Sequence, residues 1–133
     1  MSLEPKDWNK REVWYMKTRT FEVEIHHWKN APDSNVWNIY AIIGGAHPRY
    51  RRKQDSFEEL PLHGGVTFVG SAYTDRPGIK IGCDYCHAYD DAFTAASTPE
   101  EVPQVFKEAS DLFRFLQLEA FRGMSPVDNE VSL

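Results

Sequence analysis

The sequence has few cysteines and no long apolar run. Only two of its 133 residues are cysteine, and no apolar stretch approaches the roughly 20 residues that span a bilayer. The first residues, Met1 to Trp8, are charged and lack the apolar core of a signal peptide. These absences predict a cytoplasmic protein without a membrane partner. With 41% hydrophobic residues, the chain can bury a core without metals or disulfides.

An excess of basic residues is also absent. The formal net charge is −5 and the pI is about 5.5, which disfavours nucleic-acid binding by the domain as a whole. One basic cluster breaks this pattern, and a nucleic-acid binder would have to use it to grip phosphate in a salt-dependent way. The cluster consists of Arg49, Arg51, Arg52 and Lys53.

The length predicts one domain covering 1–133. Residues 1–18 show no clear period and are interpreted as an N-terminal arm or short helix that docks its tryptophans. Alternating or continuous apolar runs bounded by turn residues predict that 20–82 are mainly strands, with a long polar loop at 46–61. Residues 124–133 are expected to be a loose tail. The predicted strands are centred on 21–25, 36–43, 66–70 and 78–82.

The clearest element is a helix over 98–122. Thr98, Pro99 and Glu101 form a capping-box pattern, and an apolar stripe follows at helical spacing. The fold class predicted is therefore α+β, an antiparallel sheet of about four strands with one long C-terminal amphipathic helix packed on it. The stripe is Val102, Val105, Phe106, Ala109, Leu112, Phe113, Leu116 and Ala120.

Both cysteines lie in the string Cys83-Asp84-Tyr85-Cys86-His87, which spells the attachment signature of a c-type haem. Haem is disfavoured because covalent attachment normally takes place outside the cytoplasm and the string follows a predicted strand. Structural zinc is a second reading, with His63 and His87 completing a site, but a second tight ligand pair is missing. Two reduced cysteines in a packed strand-to-loop segment is the favoured interpretation.

Two motifs resemble a group of uncharacterised bacterial and bacteriophage proteins. The run Leu62-His63-Gly64-Gly65-Val66-Thr67-Phe68 is similar to their HGG-[LIV]-T-[YF] stretch, and 82–90 is similar to G-F-D-C-A-H-x-x-D. The resemblance covers roughly 36–118, includes the dipeptide His47-Pro48, and implies no activity. In it Gly82, Asp84, His87 and Asp90 match, whereas Cys83, Tyr85 and Cys86 depart from the pattern.

The residues themselves predict a polar site. In an antiparallel sheet the start of one strand lies beside the end of its neighbour, so His63 should lie near Asp84, His87 and Asp90. Such a cluster suits a divalent metal, with His63, Asp84 and His87 as ligands, or acid–base and hydrolytic chemistry by the same three residues. Gly64, Gly65, Thr67 and Asp90 are the predicted residues for binding a small polar ligand. A structural hydrogen-bond network is the alternative.

A different class of function stays open. The chain could be a non-enzymatic phage or mobile-element protein that binds a host protein. That hypothesis predicts an exposed aromatic patch made of Trp8, Trp14 and Tyr50, with no dependence on the histidines. The sequence does not indicate the oligomeric state.

Overall fold

The computed structural model describes residues 10–51 and 54–122, and these confirm the α+β class. An antiparallel five-stranded sheet has the order β1-β2-β3-β5-β4, and one long C-terminal helix contacts it. The strands are β1 (Glu12–Lys17), β2 (Phe21–Ala31), β3 (Ser34–Gly44), β4 (Phe68–Ser71) and β5 (Gly78–Asp84), and the helices are α1 (Asp91–Thr94) and α2 (Pro103–Arg122). Single 3-10 segments lie at Pro48–Arg51, Gln54–Glu59 and Pro99–Glu101.

The alternation seen in the sequence sets the two faces of the sheet. Phe21, Val23 and Ile25 of β2 are buried, and the intervening Glu22 and Glu24 are partly exposed. Since successive side chains of a strand point to opposite faces, β2 presents its apolar set to α2 and its acidic set to the other face. The same helix-covered face carries buried residues of β3 and β5, namely Trp37, Ile39, Ala41, Ile43, Ile81 and Cys83.

The N-terminal segment differs from the predicted arm or short helix. Its residues 12–17 form an edge strand, with Glu12 opposite His27 and Lys17 opposite Glu22. This strand was not predicted because the run Val13 to Met16 is apolar on both faces and shows no alternation of apolar and polar residues. Trp14 nevertheless docks as expected, with its ring stacked 5.8 Å from that of Trp37. The rest of the predicted arm, including Trp8, lies outside the described residues.

The C-terminal helix begins later than the capping box suggests. The box is present, with Thr98 and Glu101 bonded reciprocally, but it caps a 3-10 turn, and α2 starts at Pro103. A proline has no backbone N–H and disfavours helical geometry in the residue before it, so the chain breaks at Val102. The predicted tail at 124–133 lies outside the described residues. The buried stripe of α2 is Val105, Ala109, Leu112 and Leu116.

The region predicted as a long polar loop, 46–61, contributes to the interior. His47 and Arg49 are fully buried, and Arg49 donates from Nε to Oε1 of Glu119 on α2 over 2.9 Å. Arg49 is therefore not part of an exposed basic cluster, because it pairs with the carboxylates of Glu59 and Glu119 and is not accessible to phosphate. Residues 52 and 53 lie outside the described part of the chain.

Within the described ranges, no helix has both the length and the apolar character needed to cross a membrane. The exposed aromatic patch expected of a host-binding protein is not formed by Trp14 and Tyr50, since both are partly buried and pack against the core. Among the large apolar side chains that the structure does expose are those of Tyr15, Phe68 and Tyr89.

Candidate metal centre

The end of β5 brings two loops together. Phe68 of β4 pairs with Gly82 of β5, and Thr67 N–H donates to the Gly82 carbonyl over 2.9 Å. Because the strands are antiparallel, the residues just before β4 lie beside those just after β5. His63 is thereby brought to His87 and Asp90, as the sequence predicted.

Asp90 is the centre of the cluster and is 1% exposed. Its Oδ1 accepts a hydrogen bond from His63 Nε2 over 2.8 Å. Its Oδ2 accepts from His87 Nδ1 over 2.9 Å and from the His87 backbone N–H over 3.0 Å. One carboxylate thus joins two imidazoles that are 24 residues apart in the chain.

These hydrogen bonds decide the charge of Asp90. Burial acts to raise the pKa of this carboxyl, but the bonds from His87 and His63 act in the opposite direction and outweigh it. The net result is a pKa below the ordinary value of 3.8. A buried carboxylate that accepts several hydrogen bonds in this way is held ionised, which is the form that binds a metal.

His63 is held on its other side by residues that the sequence did not single out. Its ring stacks on that of Tyr85, with centroids 4.1 Å apart, and its Nδ1 lies 3.5 Å from Oε1 of Glu108 on α2. The Tyr85 hydroxyl donates to the same Glu108 oxygen. Burial and the adjacent Glu108 raise the pKa of Tyr85, which keeps this hydroxyl protonated.

Nothing in the sequence pointed to Glu108, because it lies on α2 beside the apolar stripe and 45 residues from His63. Tyr85 had appeared only as a departure from the family-like pattern. In the structure it is fully buried and forms one wall of the His63 site. The plane of its aromatic ring lies 16° from that of the His63 imidazole.

His87 faces the glycine turn. It stacks on Tyr89, with ring centroids 5.2 Å apart and planes 6° from parallel. Gly64 has φ +69°, and a Cβ placed there would stand 2.8 Å from His87 Nε2. Gly65 has φ +87° and open space around it. The first glycine therefore permits close approach to the imidazole, and both permit the left-handed turn.

The remaining predicted residues lie close by with different partners. Asp84 Oδ1 is 3.8 Å from His87 Nδ1 and accepts the Cys86 backbone N–H over 3.1 Å, so it also closes the loop. Thr67 is exposed, and its hydroxyl lies 3.5 Å from the Gly82 carbonyl. None of the contacts between described side chains links Thr67 to the histidines.

The two thiols of the CxxCH string are separated. Cys83 lies in the core and is 1% exposed, whereas Cys86 is exposed. Burial raises the pKa of Cys83 to about 12, and that of Cys86 is raised for the same reason and by the carboxylates of Asp84 and Asp90. A haem or zinc site needs both sulfurs at one place, and zinc needs them as thiolates. The string does not provide that.

His63, His87 and Asp90 can each offer a ligand atom, and these three atoms all lie within 4.8 Å of one another. Two imidazole nitrogens and one carboxylate oxygen form a donor set used by zinc and by other divalent transition metals. Ligands 2.0–2.2 Å from one ion stand roughly 3.3 Å apart in a tetrahedron. The distances from Asp90 to the two histidines, 2.8 and 2.9 Å, would each lengthen by about half an ångström on metal binding.

Comparison with known proteins gave no match to a family model, to a curated protein or to a solved structure.

Proposed function

We propose that this protein binds one divalent transition-metal ion through His63, His87 and Asp90. The observation that carries the proposal is the convergence of these three donors, drawn from two loops, on a carboxylate held ionised inside the protein.

The surroundings of His63 suit a metal ligand. A ligating histidine normally donates its other N–H to an outer carboxylate or carbonyl. If Nε2 gives its lone pair to the metal, the proton moves to Nδ1, which lies 3.5 Å from Glu108 Oε1. Glu108 is thus placed to accept that proton in a hydrogen bond and to fix the tautomer.

Three protein ligands leave coordination positions open for water, as in catalytic zinc sites and unlike closed structural ones. A divalent metal makes its bound water acidic enough to supply hydroxide near neutral pH. The reaction class that this site supports is therefore hydrolysis. Asp84, whose Oδ1 lies 3.8 Å from His87 Nδ1, is a further carboxylate beside the proposed metal ligands. The shallow position of His87, whose side chain is 26% exposed, gives a substrate access.

The test is calorimetric titration of the apoprotein with Zn²⁺ and Co²⁺, together with the visible spectrum of the Co²⁺ form. We expect one equivalent to bind, and His63→Ala and His87→Ala to weaken binding at least tenfold, since loss of even outer-shell partners costs about 10–100-fold. His26→Ala is the matched control, because His26 is bonded to Glu24 on the opposite face of the sheet. If all three variants bound the metal with the same affinity as the unsubstituted protein, the proposed site would be excluded.

A second candidate rests on a specific feature of His87. Its Nδ1–H is held by Asp90, and its Nε2 has no hydrogen-bond partner among the described residues. An aspartate-oriented histidine with a free nitrogen is a general base without any metal. Esterase assays with and without a chelator separate the two candidates, because chelation abolishes metal-dependent hydrolysis and leaves the histidine base active.

A further inference from the structure

The opposite end of the sheet from the histidine cluster contains a cavity of about 640 Å³. It lies where the β1–β2 turn, the end of β3 and the β4–β5 turn meet. Gly78 begins β5 at this end and Asp84 ends it at the other, a distance of about 20 Å at roughly 3.3 Å per residue. The cavity is therefore distinct from the candidate metal centre.

Three cations line this cavity: Lys17 at the end of β1, Arg19 from the β1–β2 turn and Arg76 from the β4–β5 turn. Arg19 makes no ion pair with a described residue, and Lys17 lies opposite Glu22 on β2 and interacts electrostatically with its carboxylate. The nearest carboxylate to Arg76 is Asp75, 4.0 Å away, and both side chains are largely exposed. In a chain with a net charge of −5, this is a local concentration of positive charge, with Glu22 as the acidic residue of the lining.

The walls of the cavity are tied to one another by the backbone. Gly44 N–H donates to the Thr20 carbonyl over 2.8 Å, and Gly45 N–H donates to the Pro77 carbonyl over 3.2 Å. The β1–β2 turn is closed by Thr18, whose hydroxyl accepts the Phe21 N–H over 3.2 Å. The cations therefore project from a strand end and from turns that are held by hydrogen bonds, which lowers the entropic cost of binding.

The lining also has an aromatic part. Tyr50 and Tyr73 both contribute to it, and the guanidinium of Arg76 lies 4.0 Å over the ring of Tyr73. A volume within the roughly 300–1,000 Å³ of small-molecule sites, aromatic walls and a few charged groups are the usual features of a ligand pocket. Arginine in particular suits phosphate, which its planar fork binds through two parallel hydrogen bonds.

We infer that this cavity binds a small phosphorylated molecule of nucleotide size, with its phosphates held by Lys17, Arg19 and Arg76 and its apolar part against Tyr50. The inference does not depend on the proposed metal site. It assigns the chain a second, anion-binding surface at the other end of the sheet.

Calorimetric titrations of the full chain in the presence of a chelator test the inference. The probes are ADP, pyrophosphate, adenosine and citrate. We expect ADP to bind, pyrophosphate to bind more weakly because it lacks the apolar part, and adenosine and citrate to show no binding. No binding of ADP, citrate binding as tightly as ADP, or pyrophosphate binding as tightly as ADP would each overturn the assignment.

Variants locate the binding. Lys17→Ala with Arg19→Ala should weaken ADP binding about tenfold or more, since each charge-assisted hydrogen bond is among the stronger ones in proteins. Lys10→Ala with Arg114→Ala removes the same charge outside the cavity and should leave the affinity unchanged. Arg76→Ala alone should also weaken ADP binding, and His63→Ala should leave the ADP affinity unchanged. Equal affinity in both double variants, with unchanged circular dichroism, would place ADP elsewhere and refute the site.

Discussion

A Cβ atom on Gly64 would stand 2.6 Å from Cε1 of the His87 imidazole, so the absence of a side chain at one residue sets the position of the other. This relationship joins the glycine turn before β4 to the loop after β5. It also offers a way to disturb the candidate metal centre without removing any ligand atom.

Gly64→Ala is expected to weaken metal binding by at least about tenfold. The reason is that the His87 imidazole must move away from Asp90, to which it is hydrogen-bonded, and from Tyr89, on which it stacks. Gly65→Ala is the matched control: its φ is also positive, at +87°, but its Cβ would meet nothing within 4 Å. Both variants should lose roughly 1 kcal/mol of stability from backbone strain. Metal titration of the two proteins separates the shared strain from the clash. Equal loss of affinity in both would show that His87 is not positioned by Gly64.

Asp90→Asn should remove a stabilising ionised group. The folded-state pKa of Asp90 lies below its ordinary value of 3.8, so its contribution to stability is present above pH 3.8 and is lost as the pH falls through the folded-state value. At neutral pH the variant should be less stable by about 1–3 kcal/mol, because two histidine donors lose a charged acceptor. The difference should shrink in acid. Urea unfolding at several pH values measures it, and a difference independent of pH would contradict the charge assigned to Asp90.

His47 should make the protein sensitive to mild acid. Burial lowers its pKa below the ordinary 6.5, and its neutral ring accepts the Arg49 N–H at Nδ1 while Nε2–H donates to the Leu116 carbonyl. As the pH falls below about 6.5, His47 becomes protonated in the unfolded chain but stays neutral in the folded protein, so the free energy of unfolding decreases.

His47→Gln should flatten this dependence, as judged by urea unfolding at about pH 7.5 and pH 5.5. Some slope should persist because burial also lowers the pKa of His26. An unchanged slope in His47→Gln would assign the acid sensitivity to other groups.

The burial of α2 can be tested with two leucines of one helix. Leu112 is fully buried and Leu118 is 49% exposed. Leu112→Ala should cost about 2–5 kcal/mol of unfolding free energy, from lost transfer energy and the cavity left behind, and Leu118→Ala should change it by less than about 0.5 kcal/mol. Denaturant titration of both gives the comparison. Similar costs would mean that α2 packs on the sheet through a different face.

The two cysteines should differ in reactivity. Iodoacetamide should alkylate exposed Cys86 in the native protein and reach Cys83 only on unfolding, because Cys83 is buried and its pKa is raised to about 12. Mass spectrometry after digestion identifies the modified residue. Cys86→Ser should retain metal binding, since no thiol is among the proposed ligands. Loss of metal binding in that variant would show that Cys86 of the CxxCH string contributes to the metal site.

The fold followed largely from local patterns. The alternation in β2 and the capping box before α2 each satisfy a local physical requirement, burying one face or pairing free backbone N–H groups, and both are present. Strand β1 could not be predicted, because its apolar residues lie on both faces and its place is set by pairing with β2 and by contact between Trp14 and Trp37. Arg49 was misjudged because its partner, Glu119, lies 70 residues away.

The sequence by itself determined the approximate place of the candidate site, with His63 before one strand and Asp84, His87 and Asp90 after its antiparallel neighbour. It assigned the metal to His63, Asp84 and His87, whereas the three donors that converge in the structure are His63, His87 and Asp90. The tertiary structure decided the rest. It made Asp90 the shared acceptor of both imidazoles, placed Glu108 and Tyr85 behind His63, and separated Cys83 from Cys86. The physical reason is that strand pairing can be inferred from local pattern, whereas contacts between a helix and a sheet depend on how distant side chains pack.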